Sequence, residues 1–380
     1  MENVYILGGL RSHIGLKNGM FKHVLPEDLG ASLVKVLIEK YQLEKIDQII
    51  CGNAVGTGGN ITRLMALKAG ISEEVPAFTI DMQCSSAGMS IDVAFAKIRS
   101  GQCDVVIAGG FESSSLQPCR IYAKDDARYV AENPGYMVAQ FSPEENNELV
   151  MLHGAERVAQ REKMTKAELD FWTLESHRRA NAARENARLS DVIVPLYGSC
   201  KDEGIRPRMQ QKLLDRLPAL LGAGSLTTAG NSCLTNDGAA FVILCSETFL
   251  HQNARQPMAQ IVQSCAIGTN PFYSPAGAMR AVDKLLELAG LTYADIANVE
   301  LNEAFAVIDV LFARKYPKLV DCYNIFGGAL AYGHPYGASG AIIALHLLKA
   351  LAYTQGLYGV AAIAGAGGVG SAILLKRVKA

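Results

Sequence analysis

The chain closes, from Gly359 to Ala380, on GVAAIAGAGGVGSAILLKRVKA. Gly365, Gly367 and Gly370 fit G-x-G-x-x-G, and the apolar run VAAIA stands before them like a strand. A dinucleotide-binding turn needs a helix directly after such glycines, then a strand with an acidic residue about 20 positions on. Here only SAILLKRVKA follows, β-like and too short for either. The glycines therefore read as a place where backbone comes close to something bound, and not as an NAD site.

Upstream of that strand, GHPYGASGAIIALHLLKAL reads as a Gly-rich turn opening a helix of small residues. The same succession occurs earlier, in CSSAGMSIDVAFAKIRSGQCDVVIAGG, with a stop at Gly101 and a Gly-ended strand. Each copy sets a chemically able residue, Cys84 or His334, just ahead of a helix N-terminus. The repetition predicts two related halves. Elsewhere VYILGG reads as a buried strand, PEDLGASLVKVLIEKYQ as a helix opened by Pro26 and acids, and IDQIICGNAVG as a strand and turn. The class is α/β with buried central strands. Between about Gln117 and Pro218 the sequence turns charged and helix-like, an excursion from that core.

The 380 residues suffice for two domains, each with its own core. A formal net charge of -1 gives no electrostatic reason to expect nucleic acid or an anionic membrane as partner. The opening MENVYILGGLRSHIG does not read as a secretory signal. No window offers about 18 apolar residues free of Gly breaks or charge, so no membrane span is expected. The nine cysteines include no C-x-x-C, which argues against a disulfide framework and a common zinc site. A cytoplasmic chain with reduced thiols and no metal is the expectation.

Three segments can carry chemistry. Cys84, where a strand gives way to a small-residue helix, would feel the helix dipole and unpaired N–H groups, both favouring thiolate. The plainer alternative is a buried structural cysteine. His334, among Gly327, Gly328, Gly333, Gly337 and Gly340, could take a thiol proton near neutral pH, or be a surface-loop histidine. Asn302, in VELNEAFAVI, could polarise an oxygen or orient a water, or simply cap a helix.

Together CSSAGM, NEAFA and GHPYGASG, in this order and at these separations, resemble the thiolase family. LRSHIG, AGGFESSS and GSLTTAGNSCLTNDGAA extend the resemblance over essentially the whole chain. It implies a thiolase-like α/β fold: two similar α/β halves with central mixed sheets and an inserted helical loop domain. The N-terminal half would be 1–248, with the loop domain at about 117–224, and the C-terminal half 249–380. It implies acyl exchange with coenzyme A, cleaving a 3-ketoacyl-CoA or condensing two acyl-CoA molecules. Coenzyme A thioesters would be the substrates, with no permanently bound cofactor, and the chain would be a homodimer or homotetramer. By resemblance, Cys84 attacks the acyl carbonyl, His334 takes its proton, and Asn302 holds a water completing one oxyanion site. The backbone N–H groups of Cys84 and Ala366 form a second. Arg206 or Arg208 would meet phosphates, and Cys233 and Phe305 would line the substrate channel.

One departure stands out. Aligned on the last glycines, Ala364 occupies the place of the family's second cysteine, which shuttles the α-proton, and no cysteine follows Cys322. Lesser departures are Asp81 for an Asn and Cys233 for a Ser. Three readings follow: an acetyl-CoA acetyltransferase-like enzyme using another base, an acyl-CoA hydrolase or transferase to another acceptor, and a non-catalytic acyl-CoA-binding subunit. The intact Cys84, Asn302 and His334 speak against the third.

Overall fold

Buried runs of β-branched and small residues make the strands. The computed structural model describes residues 2–145 and 147–378, so Met1, Asn146, Lys379 and Ala380 lie outside it. Strands β1 (Val4–Ser12), β2 (Gln48–Gly52), β3 (Ala77–Ile80), β4 (Val105–Ser113) and β5 (Asn236–Ser246) run in the order β1-β5-β4-β2-β3. Strands β6 (Ala259–Gly268), β7 (Ile296–Leu301), β8 (Tyr358–Gly365) and β9 (Val369–Arg377) run β6-β9-β8-β7. The two sets correspond. In each, two antiparallel pairings precede a parallel one, β4 with β2 and β8 with β7. The fifth position is echoed too: β3 pairs β2 in parallel, and an isolated parallel bridge joins Tyr323 to Val299 of β7. The halves share one continuous sheet, because β1 and β6 pair through Val4–Ile6.

The principal helices are α1 (Pro26–Tyr41), α2 (Ser86–Arg99), α3 (Val150–Arg161), α4 (Lys166–Glu185), α5 (Gly277–Ala289), α6 (Ala306–Lys315) and α7 (Ser339–Thr354). Helix α2 leads into β4 and α7 into β8, the equivalent places in the two halves. Both pack centrally, on strands of both halves. They cross at glycines: a Cβ on Gly340 would collide with the backbone N of Gly88. Their small residues are thus a packing requirement. Helix α1 covers the outer face of the first strand set, and α5 that of the second.

The helical stretch Tyr336–Thr354 corrects one expectation. It is long and apolar enough to cross a membrane, although Gly337, Gly340 and Lys349 hid this in the sequence. Of its apolar window, 78% is buried inside the fold, which accounts for the composition. The charged excursion holds α3 and α4, the latter opened by a capping box between Thr165 and Glu168. A buried ion pair ties this region to β1. Arg11 donates to both Asp202 carboxylate oxygens, at 2.8 and 2.9 Å, and Asp202 also accepts from the Ile14 N–H at 2.8 Å.

Candidate active site

Strand β3 ends at Ile80, and the chain turns sharply before α2. Gln83 makes the turn in the left-handed region, with φ of 53°. Such backbone costs a non-glycine residue on the order of 1 kcal/mol or more. Asp81 offsets this, its Oδ1 accepting from the Gln83 N–H at 2.9 Å and the Gln83 amide at 3.2 Å. Cys84 follows at the foot of α2, 8% exposed. The N–H groups of Cys84 itself and of Ala366 favour the charged form of its sulfur.

Ala366 sits in the turn between β8 and β9, so the closing glycines form a β-hairpin. Gly367 and Gly368 have φ of 79° and 75°, and a Cβ on Gly368 would collide with the Thr269 carbonyl oxygen. The glycines bring a backbone N–H to the sulfur.

His334 is 1% exposed, which overturns the surface-loop alternative. Its turn is seated on the first strand set: a Cβ on Gly110 of β4 would collide with the Gly337 carbonyl. The buried Glu112 clamps it, accepting from the N–H groups of Gly337 at 2.9 Å and Ala54 at 2.8 Å. The His334 N–H donates to Asn236 Oδ1 at 2.8 Å. Its Nδ1 lies 2.6 Å from Ser339 Oγ, and that hydroxyl donates to the Pro335 carbonyl at 2.9 Å. Ser339 Oγ therefore accepts, the ring proton is assigned to Nδ1, and the Nε2 lone pair is left for a base's work. Asn302 Nδ2 lies 3.5 Å from Nε2. Capping is not its role, since α6 begins only at Ala306, with Phe305 before it.

The electrostatics correct the expectation of a ready thiolate. Burial pushes the Cys84 thiol up to about 12, outweighing the two N–H donors that pull it down. Burial also takes His334 down to about 3. The resting pair is a thiol and a neutral imidazole, so the proton must move as the sulfur attacks.

The chain matches the thiolase N-terminal domain over residues 4–248 and the thiolase C-terminal domain over 255–377. This protein belongs to the thiolase family. It is 34% identical to VraB of Staphylococcus epidermidis, provisionally named an acetyl-CoA C-acetyltransferase, over 99% of both chains. It is also 34% identical to YhfS of Bacillus subtilis, with the same provisional name, over 98% of this chain and 99% of that one. The structure matches the acetyl-CoA acetyltransferase of Bacillus anthracis with a TM-score of 0.93 at 28% identity, covering 100% of this chain and 99% of that one. It matches human mitochondrial 3-ketoacyl-CoA thiolase in complex with CoA with a TM-score of 0.91 at 29% identity, covering 100% and 98%.

In this thiolase a cavity of about 360 Å³ brings together Cys84, His334, Cys233, Phe305 and Ala366. Lys17 and Arg120 also line it. Arg206 and Arg208 do not: both are exposed, on the turn that leaves the buried Asp202. Asn302 stands behind His334, outside the lining. Ala364 is buried on β8, also outside it, near the start of α5: a Cβ on Gly277 would lie 3.5 Å from its own Cβ. Among the described residues no group of three or more His, Cys, Asp or Glu could hold a metal ion.

Sequence reasoning gave no role to Glu112, Ser339 or Tyr336. All three lie in quoted motifs, AGGFESSS and GHPYGASG, and an acid closing a Gly-rich buried strand was the available signal for Glu112.

Proposed function

We propose that this thiolase moves acyl groups between coenzyme A thioesters through a thioester on Cys84, an acetyl-CoA acetyltransferase-like reaction. One observation carries the reading. The Cys84 sulfur, near the backbone N–H groups of Cys84 and Ala366, opens onto the same cavity as an imidazole whose unprotonated Nε2 faces only the Asn302 amide, at 3.5 Å. In the first half-reaction His334 Nε2 takes the thiol proton as the sulfur attacks the acyl carbonyl carbon. The carbonyl oxygen gains charge within reach of the N–H groups of Cys84 and Ala366, and losing one such donor costs about a hundred- to a thousand-fold. Coenzyme A departs as its thiol, carrying the proton from His334. In the second half-reaction an acceptor attacks the Cys84 thioester and the sulfur recovers its proton.

Asn302 positions the imidazole and a water at the second substrate's carbonyl. Lys17 and Arg120 are assigned to coenzyme A phosphates. Arg206 and Arg208, being exposed, would meet the part of the molecule outside the cavity. Residues 1–248, with the loop domain at about 117–224, and 249–380 are the proposed functional halves, in a homodimer or homotetramer. The names carried by the bacterial relatives support the acetyltransferase chemistry.

A second reading is favoured by Ala364, a methyl group where carbon–carbon chemistry would use a proton carrier. On that reading Cys84 is acylated, but thiolysis of acetoacetyl-CoA is weak. The test is mass spectrometry of the protein after acetyl-CoA treatment, beside thiolysis rates. One acetyl group on Cys84, blocked by iodoacetamide, is expected. Acylation persisting in Cys84→Ala, or mapping to Cys233, would sink the thioester assignment.

A further inference from the structure

Cleaving a carbon–carbon bond beside a carbonyl needs a proton donor at the departing carbon, besides the base that frees the nucleophile. Apart from Cys84 and His334, the titratable side chains lining the cavity are Lys17, Arg120, Glu148, Tyr336 and Cys233. Lys17 and Glu148 are exposed, at the cavity's rim. Arg120 does not release its proton, and it donates to the Gly56 carbonyl at 2.9 Å. The Tyr336 ring stands edge-on to His334, centroids 4.9 Å apart; burial raises it as it raises Cys233, but from the higher ordinary value of a phenol, so it is the weaker donor of the two.

Cys233 remains. Its N–H donates to the Ala304 carbonyl at 2.9 Å, and Ser232 bridges Phe305 in antiparallel fashion. These contacts clamp the segment against the NEAF turn. The Cys233 thiol is half-buried and shares the cavity wall with Cys84. Burial, then the nearby Cys84, keeps it protonated, the form a proton donor needs. Beside it Ser232, 8% exposed, carries a buried hydroxyl with no protein partner, on the same cavity lining. This stretch of wall is therefore built to meet a polar group of a ligand.

We propose that Cys233 is the second catalytic thiol of this enzyme. The step rests on the Cys84 thioester reading. With a 3-ketoacyl-CoA, the Cys84 sulfur bonds to C3 while His334 takes its proton. The C2–C3 bond then breaks, its electron pair passing to C2, and Cys233 gives its Sγ proton to C2 to release acetyl-CoA. The Cys233 thiolate takes a proton from incoming coenzyme A, whose sulfur attacks the Cys84 thioester. Cys84 leaves as thiolate and recovers its proton from His334.

The test compares two rates in one preparation: acylation of Cys84 by acetyl-CoA, read by mass spectrometry, and thiolysis of acetoacetyl-CoA. Cys233→Ser and Cys233→Ala should lower the ratio of thiolysis to acylation by about a hundredfold or more. Tyr336→Phe should leave that ratio within about threefold of wild type. A ratio unchanged in both Cys233 variants overturns the proposal, as does a fall in Tyr336→Phe alone. Wild-type acylation without measurable thiolysis also overturns it. Failure of Cys84 to acylate at all would instead remove the underlying thioester reading.

Discussion

At the scale of single residues, two opposed shifts govern the site. With the Cys84 thiol up at about 12 and His334 down at about 3, neither ionises alone near neutral pH. In His334→Ala the reactive thiolate must arise by simple ionisation, so acylation should rise about tenfold per pH unit. The deficit against wild type should be about a hundred- to ten-thousand-fold at pH 7 and shrink by about a hundredfold by pH 9. A deficit equal at both pH values would make His334 a structural residue. The Asp81 charge also raises the thiol. Asp81→Asn keeps an oxygen for the Gln83 N–H, so the Cys84 pKa should fall, read from the pH dependence of iodoacetamide alkylation; a rise would contradict this. Cys84 and His334 stood out in the sequence because one opens a small-residue helix and the other sits in a Gly-rich turn. The resting protonation states did not, because they depend on burial by distant segments. The exposed, off-cavity position of Arg206 and Arg208 was hidden for a similar reason: a basic pair in GIRPRM says nothing of which way its turn faces.

Among the elements, the crossing of α2 and α7 fixes the distance between the two reactive residues. Gly340→Ala would drive a methyl group into the Gly88 backbone, which cannot swing aside as a side chain could. A loss of about 1–3 kcal/mol or more is expected by urea unfolding, with a larger fractional loss of acylation than of folded protein. Gly101→Ala is the comparison. Gly101 has φ of 76° but nothing near its missing Cβ, so its cost should stay at about 1–2 kcal/mol, with acylation of the folded protein retained. Equal effects of the two would show that the crossing is not a tight constraint. The alternation of strands and helices was readable from apolar period and turn residues. The join of β1 to β6 was not, since it pairs Val4 with Ile261 and no local pattern encodes it.

Across the whole molecule, the Arg11–Asp202 pair links the first strand to the charged excursion. Burial opposes ionisation of Asp202, but the Arg11 charge, its hydrogen bonds and the Ile14 N–H outweigh this and hold the carboxyl below its usual range. A depressed carboxyl pKa stabilises the fold at pH values above the unfolded-state pKa, and the stabilisation is lost as pH falls through the folded value. Asp202→Ala should cost about 3–5 kcal/mol at pH 7, because it strands a buried guanidinium. Asp202→Asn should flatten the acid limb of the stability profile below about pH 4. A variant as stable as wild type at pH 7 would show the pair to be dispensable.

Cys84 and His334 occupy the same address in two copies of one architecture, each just ahead of a central helix that feeds a Gly-ended strand. A half-length ancestor assembling with itself would carry identical residues at both addresses. Two cysteines, or two histidines, could not divide attack from proton removal. Joining the copies in one polypeptide lets each address mutate alone, so the peptide link between the halves is what frees the chemistry from the symmetry of its scaffold. Such a fusion would also turn a contact between molecules, at the positions of Gly88 and Gly340, into a matter of folding, no longer subject to dilution.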